Sequence, residues 1–291
     1  MGHTGTLDPI AEGLLIILLN KAVKLSSDFL SLDKEYITLV KLGIRTDSHD
    51  LNGRTIKICE VPRLEESYLS DIINDFEGDY SQTIPVFSAK KIKGRHLYEY
   101  ARKNIETDKI KNNVRINKIS IIKFQPPDLY LRISVSSGTY IRAIANDIGE
   151  RIGCGAAMAE LKRVRIGDYF NENAFRLEEA LNFLSDYYDR KINEADIKKI
   201  KSLITLNEMT DKYKKVYVDE RFLGILERNS PLYEEMVEPR LNSELEFEPG
   251  EIIIIKTGKY KKSYFHRAVI KFSLKKISDE NKKLSKFLLT N

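Results

Sequence analysis

Apolar residues along the chain follow two different spacings. Tyr36–Leu42 and Leu129–Val135 are rich in aromatic and β-branched residues and predict strands. Leu64–Phe76 and Thr139–Ile152 place their apolar residues on one side of a helix, and each run has a glycine within two residues of its end. The chain is therefore predicted to mix strands and helices.

Shorter segments fill in this outline. The continuous apolar run Gly13–Leu19 predicts a buried strand, and the polar run Arg45–Gly53 predicts a loop or hairpin turn. Further helices are predicted at Ala22–Leu32, Leu97–Lys103 and Leu177–Leu184. Because strands and helices do not alternate strictly, we expect an α+β fold with a largely antiparallel sheet and flanking helices.

A polar, charged stretch near residues 207–215 interrupts the pattern. After it come predicted strands at Val216–Val218, Ile252–Lys256 and Phe265–Phe272 and a predicted helix at Arg221–Arg228. We therefore expect a larger domain over residues 1–208 and a small, mostly β-stranded domain over residues 209–291.

Composition narrows the class of protein. The 291 residues are 42% hydrophobic and 31% charged, which suits a folded protein with a sizeable core. No apolar run is long enough to span a bilayer and no secretory signal is visible, so we expect a cytoplasmic protein without membrane contact. Cys59 and Cys154 are expected to be buried free thiols, and the four scattered histidines predict no metal site.

The net charge of +5 is unevenly distributed. One basic run lies between residues 90 and 103 and contains a single acid, Glu99; its cations are Lys90, Lys91, Lys93, Arg95, Arg102 and Lys103. A second run, Lys256–Lys276, contains no acid. Such runs with interleaved aromatic residues are typical of phosphate-backbone binding, although a solvated charged face gives the same pattern.

The most distinctive motif is Gly2–Pro9, which places Asp8 among glycines and threonines. One interpretation is a helix start, with Asp8 as cap and Pro9 at the first helical position. Another is a tightly shaped loop that holds a catalytic carboxylate. The full phosphate-loop and dinucleotide-binding patterns are absent.

Four separated segments together resemble the bacterial tRNA pseudouridine synthase B (TruB) family. Their order and spacing match over residues 2–169. They are Gly2-His3-Thr4-Gly5-Thr6-Leu7-Asp8-Pro9 with Gly13-Leu14-Leu15; Lys34-Glu35-Tyr36 with Leu42-Gly43-Ile44-Arg45-Thr46-Asp47 and Asp50-Leu51-Asn52-Gly53; Ile84-Pro85-Val86-Phe87-Ser88-Ala89-Lys90 with Gly94–Arg102; and Ser137-Gly138-Thr139-Tyr140-Ile141-Arg142 with Asp147-Ile148-Gly149 and Leu161-Lys162-Arg163.

The resemblance implies an isomerase that converts the T-loop uridine at tRNA position 55 to pseudouridine after flipping it out of the stack. It implies a pseudouridine-synthase fold, a thumb insertion over residues 83–104 that grips the T-arm, and a C-terminal domain similar to the RNA-binding PUA domain. It also implies a monomer that needs neither a cofactor nor a protein partner.

The resemblance also implies roles for particular residues. Asp8 matches the catalytic aspartate, which either attacks C1′ or removes the C2′ proton. Arg142 matches the residue that pairs with it and favours its ionised form, and Tyr36 matches the tyrosine that stacks on the flipped uracil and is placed for proton transfer. The matching substrate contacts are Tyr36, Tyr140, Leu161 and His3, and the matching RNA contacts are the cations of the first basic run. Without the family match, Tyr36, Tyr140 and Leu161 would be interpreted as core residues and Arg142 as a surface residue.

Family members carry a strand and a helix before the catalytic loop, so the resemblance leads us to expect that the start at Met1 is misassigned. A chain without that segment could act as a non-catalytic tRNA-binding or folding factor, which is the main alternative function. A guide-RNA-dependent synthase is disfavoured by the basic thumb. A nucleotidyltransferase is disfavoured because no Lys-Met-Ser-Lys-Ser run occurs.

Overall fold

The computed structural model describes residues 2–92, 94–103, 105, 107–189, 204, 214–218, 232–233, 252–257, 263–267 and 270–271. Contacts within the chain divide it into two compact units, Met1–Ser185 and Asp186–Asn291. The division expected after residue 208 and the similarity of the second domain to a PUA domain stay predictions.

The first unit mixes short and long strands with helices. Its strands are β1 (Gly2–His3), β2 (Ala11–Gly13), β3 (Ile17–Leu18), β4 (Lys34–Leu42), β5 (Ile44–Thr46), β6 (Thr55–Ile58), β7 (Gly78–Thr83), β8 (Lys91–Ile92), β9 (Arg95–His96), β10 (Lys111–Gln125), β11 (Asp128–Val135), β12 (Ala156–Ile166) and β13 (Tyr169–Phe170). Its helices are α1 (Ser26–Ser31), α2 (Glu66–Asn74), α3 (Leu97–Arg102), α4 (Ile141–Ile152) and α5 (Leu177–Tyr188), which runs past the end of the unit, with 3-10 helices at Asn20–Leu25 and Asn171–Asn173.

A seven-stranded sheet forms the framework of this unit. Six strands follow the order β13-β12-β4-β11-β10-β7, and every pair in that order is antiparallel. The seventh strand, β2, pairs in parallel with β12, with Leu161 opposite Ala11 and Arg163 opposite Gly13. The expected α+β class with a largely antiparallel sheet is therefore confirmed.

The core lies on one face of this sheet. Val40 and Leu42 on β4 belong to the same buried cluster as Ile144 and Ile148 on α4 and Ile73 on α2. The predicted helix ending is confirmed as well. Gly153 follows α4 with φ 90°, a left-handed conformation that glycine adopts without steric cost, and its N–H donates to the Gly149 carbonyl at 3.0 Å.

The structure contradicts the continuous buried strand predicted at Gly13–Leu19. Two short strands flank a break there, and Leu15, Ile17 and Leu19 are between 42% and 50% exposed. The break follows from Gly13, whose φ is 100° and whose hypothetical Cβ would lie 2.3 Å from the Arg163 carbonyl oxygen. The conformation of this segment is therefore determined by the close approach of two backbones, which the pattern of apolar residues does not predict.

Three long strands were not predicted at all: β7, β10 and β12. The sequence of β12, Ala-Ala-Met-Ala-Glu-Leu-Lys-Arg-Val-Arg-Ile, consists largely of good helix formers. It becomes a strand because β4 pairs along one edge while β2 and β13 pair along the other. Neighbouring strands here outweigh local propensity.

In the second unit, the described residues from 214 onward are strands. β14 (Lys214–Val218) lies parallel to β16 (Ile252–Thr257), which is antiparallel to β17 (Ser263–Arg267), and β15 (Leu232–Tyr233) pairs with β18 (Ile270–Lys271). The strands β14 and β16 agree with predicted strands, β17 and β18 fall on the one predicted at Phe265–Phe272, and β15 was not predicted. The helix predicted at Arg221–Arg228 lies outside the described residues. Within the described part of the chain, no helix combines the length and apolarity needed to cross a membrane.

Both cysteines are free. Cys154 is buried as expected, whereas Cys59 is only half-buried.

Lys34 at the start of β4 is a buried cation that holds the end of α1. Its Nζ donates to the Leu30 carbonyl at 2.6 Å and to the Leu32 carbonyl at 2.5 Å. Burial lowers the pKa of Lys34 to about 8, with the nearby Arg163 charge acting in the same direction.

We expect Lys34→Met to lower the free energy of unfolding by about 1–3 kcal/mol, because both carbonyls lose their donor. Between pH 8 and about 10 an unfolded lysine binds more protons than Lys34 does in the fold, so the stability of the parent should rise with pH in this window. Urea titrations across that range would measure both effects. The exposed Lys24→Met is the control, and an equal pH slope in Lys34→Met and the parent would contradict the assignment.

Candidate functional site

The motif around Asp8 is a turn and not a helix start. The Ala11 N–H donates to the Asp8 carbonyl at 2.8 Å, which closes a four-residue turn with Pro9 in its second position, where its fixed φ is favourable. The chain then continues directly into β2. The helix-cap interpretation is therefore wrong, and the Asp8 side chain has no capping role.

Arg163 fastens this loop to the sheet. Its side chain is only 2% exposed, and its Nε and Nη2 donate to the carbonyls of Leu14 and Gly5 at 2.7 and 3.2 Å. Its own carbonyl accepts from the Leu14 N–H at 2.8 Å. The loop that carries Asp8 is thus held on both sides by one buried guanidinium.

The predicted partner of Asp8 lies beside it. Arg142, in the first turn of α4, is 3% exposed, and its Nε lies 3.1 Å from Asp8 Oδ2. Nη2 lies 3.4 Å from Asp8 Oδ1 and donates to the Phe87 carbonyl at 2.7 Å, while Nη1 donates to the Ser48 carbonyl at 3.2 Å. Three segments far apart in sequence therefore meet at this guanidinium.

The pKa of Asp8 is raised above the ordinary value for an aspartate. Burial is the main cause; the charge and hydrogen bond of Arg142 oppose it, and the carboxylate of Asp50 adds to it. The guanidinium alone was expected to favour the ionised form, but burial exceeds its effect. A carboxylate in this setting is poorly solvated, which suits it to act as a nucleophile or as a base.

Tyr36 lies on β4 between Ile133 of β11 and Arg163 of β12. It is 9% exposed, and burial raises the pKa of its phenol, an effect that Arg163 opposes and the Asp8 charge reinforces. Tyr36 consequently keeps its proton at neutral pH and can donate it or share it in a hydrogen bond.

The remaining predicted substrate contacts occupy separate elements. Tyr140 precedes α4, and its ring centre lies 5.8 Å from Cζ of Arg142. Leu161 is buried on β12, opposite Ala11 of the Asp8-bearing segment. His3 is exposed on β1, which pairs with β3. The structure thus brings Tyr140 close to Arg142, pairs Leu161 with the strand that follows Asp8, and places the exposed His3 at the start of the same loop.

The predicted thumb contains a small hairpin, β8 and β9, followed by α3. Five of its cations are exposed, namely Lys90, Lys91, Arg95, Arg102 and Lys103, and Lys93 lies outside the described residues. The base of this segment reaches the site directly, because the Phe87 carbonyl is one of the acceptors of Arg142.

The sequence did not assign a role to Arg163, Asp50 or His49, which the structure places around the pair. Arg163 and Asp50 occur within matching segments. Arg163 could have been identified as inward-facing only if β12 had been predicted as a strand, because Leu161 and Arg163 then share a face. Among the described residues, no group of His, Cys, Asp and Glu side chains is arranged to hold a metal ion.

Comparisons with known proteins give matches over much of the chain. Residues 1–141 match the model of the TruB family pseudouridylate synthase N-terminal domain, and residues 142–209 match that of the tRNA pseudouridylate synthase B C-terminal domain. The tRNA pseudouridine synthase B of Clostridium tetani is 36% identical over 78% of this chain and 73% of its own. That of Francisella tularensis subsp. novicida is 37% identical over 78% and 81%.

Solved structures with the same fold include a Cbf5-Nop10-Gar1 complex and an H/ACA RNP bound to a substrate RNA. Each superimposes with a TM-score of 0.63 over 99% of this chain and 74% of the other, at 20% and 19% sequence identity respectively.

Proposed function

Because the chain belongs to the TruB family of pseudouridylate synthases, we propose that it isomerises a uridine of tRNA to pseudouridine and that the uridine is the one at T-loop position 55. The observation that carries the proposal is the Asp8–Arg142 pair, a partly buried carboxylate 3.1 Å from a buried guanidinium. Tyr36, whose phenol lies within reach of the Asp8 charge, and Leu161 lie on the adjacent strands β4 and β12.

The reaction changes bonds but not composition. The N1–C1′ glycosidic bond breaks, the uracil rotates, and C5 forms the new bond to C1′; N1 gains a proton and C5 loses one. The ionised carboxylate of Asp8 either attacks C1′ or removes the C2′ proton. Arg142 stabilises the negative charge and orients the carboxylate of Asp8, because the two groups lie within salt-bridge distance.

Tyr36 and Leu161 would line the pocket that holds the detached uracil. The ring of Tyr36 can stack on the uracil. Burial raises the pKa of its phenol further, so the hydroxyl stays protonated and can serve as a hydrogen-bond donor in the proton transfers. Leu161 is opposite Thr38 on the neighbouring strand, two residues from Tyr36. Tyr140 and His3 would contact the surrounding nucleotides.

The thumb would bind the T-arm backbone. Lys90, Lys91 and Arg95 are exposed around the β8–β9 hairpin, and Arg102 and Lys103 are exposed at the end of α3. Their contacts with phosphates would make affinity decrease with salt, whereas the shape of the folded T-arm would select the nucleotide. We propose that one chain performs this without a guide RNA.

Incubation of the protein with an unmodified tRNA transcript, followed by mapping of pseudouridine, tests the proposal. We expect one pseudouridine, at position 55, and none in a transcript with cytidine at that position. Product at another position would refute the assignment of the site. Binding of the transcript without product under any condition would favour a non-catalytic tRNA-binding factor.

A further inference from the structure

One loop beside the site has a backbone conformation unusual for its residue. His49 lies between β5 and β6 with φ 67°, and it is the sole non-glycine residue with positive φ within the described ranges. The left-handed region costs free energy in most residues other than glycine and asparagine, and such conformations cluster at functional sites. The hydrogen bonds of the residues around His49 show which contacts depend on this conformation.

The carbonyls on either side of the His49 Cα have different partners. The Ser48 carbonyl accepts from Nη1 of Arg142 at 3.2 Å, and the His49 carbonyl accepts from the Met158 N–H at 2.9 Å. The Leu51 N–H then donates to the Met158 carbonyl at 3.0 Å, so Asp50 pairs with Met158 as a one-residue parallel strand. The loop is therefore bonded to α4 and to β12 within four residues.

The edge of β12 that receives this loop also receives the Asp8-bearing segment. Met158 bonds the His49 loop, and Leu161–Arg163 pair with β2, which follows the Asp8 turn. At about 3.3 Å per residue, the two attachment points are roughly 10 Å apart on one strand edge. The edge thus sets the distance between the loop that holds Arg142 and the loop that carries Asp8.

We propose that His49 is a positioning residue for the isomerisation: its left-handed backbone directs the Ser48 carbonyl at Arg142 while the loop stays bonded to β12. This inference rests on the proposed function. The imidazole is half-buried and its Nδ1 has no hydrogen-bond partner, so the backbone and not the ring carries the role.

Three substitutions separate the backbone from the side chain. His49→Gly and His49→Asn both tolerate the left-handed region, whereas His49→Val strongly disfavours it. In His49→Val the Ser48 carbonyl should turn away, leaving Arg142 less well placed to stabilise the Asp8 charge. The pKa of Asp8 should therefore rise in the valine variant and stay near that of the parent in the glycine and asparagine variants.

Carbon-13 NMR of aspartate carboxyls measures this without RNA, and Asp8→Asn identifies the resonance. At saturating tRNA transcript we further expect His49→Val to lower the single-turnover rate about ten- to hundredfold. The dissociation constant for tRNA should not change, and the acidic limb of the rate profile should move to higher pH. A reduced folded fraction would lower the rate at every pH equally.

An Asp8 pKa in His49→Val equal to that of the parent would overturn the proposal. So would a glycine variant as impaired as the valine variant, because the ring would then be responsible. A parent protein that binds tRNA without product would refute the proposed reaction alone, since the carboxyl titration does not depend on turnover.

Discussion

Replacement of Asp8 by asparagine should lower the rate of pseudouridine formation by about a thousandfold or more, because the amide neither attacks C1′ nor accepts the C2′ proton. Binding of tRNA should be nearly unchanged, since the amide is isosteric and the exposed thumb cations are untouched. Single-turnover assays and filter binding on one preparation would measure the two effects.

The stability of Asp8→Asn provides the control for correct folding. Burial raises the pKa of Asp8, so the fold disfavours its charge at neutral pH, and the penalty develops as pH rises above the pKa of the unfolded chain. A neutral amide avoids this penalty and still accepts a hydrogen bond from Arg142. We therefore expect a melting temperature at or slightly above that of the parent at neutral pH. Normal turnover by this variant would refute the catalytic role of Asp8.

Removal of the Arg142 guanidinium should impair both stability and activity. Arg142→Met leaves the carbonyls of Ser48 and Phe87 without their donor and the Asp8 carboxylate without its counter-charge. We expect a loss of about 2–4 kcal/mol in the free energy of unfolding and loss of detectable product. Urea denaturation with parallel single-turnover assays would measure both.

Two matched variants distinguish charge from geometry at this position. Arg142→Lys keeps the positive charge but cannot place donors at three separated acceptors, so it should recover part of the stability and little of the rate. The double variant Asp8→Asn with Arg142→Met should be more stable than Arg142→Met alone, because no unpaired carboxylate remains. A double variant less stable than Arg142→Met would show that Arg142 does not offset the cost of burying the Asp8 charge.

The predictable parts of this fold are those in which local pattern and tertiary packing agree. The strand β4 follows from its aromatic and β-branched residues, and the glycine that ends α4 follows from backbone freedom; the structure has both as expected. The strand β12 could not be predicted in this way. Its residues favour a helix, and its strand conformation comes from pairing with β4, which lies more than a hundred residues away in sequence.

The candidate site was likewise predictable only in part. Asp8, Tyr36 and Arg142 were identified through a family resemblance, and the structure brings them together. Arg163 and the Gly13–Leu19 break could not be identified, since both depend on how two backbones approach each other at the edge of β12. The pattern of apolar residues predicts which side chains are buried. It does not predict which backbone atoms of distant segments form hydrogen bonds with each other.

Two of the three acceptors that hold Arg142 are main-chain carbonyls, at Ser48 and Phe87. Every amino acid supplies such an oxygen, so substitutions at these two positions preserve the acceptor as long as the backbone path is kept. The two positions differ in how freely they can change, because the Ser48 hydroxyl also donates to Asp50 Oδ1 at 2.8 Å and so helps to set that path. A side chain at position 87 can therefore be exchanged without loss of the acceptor, whereas at position 48 the acceptor survives best with a residue that keeps the hydroxyl.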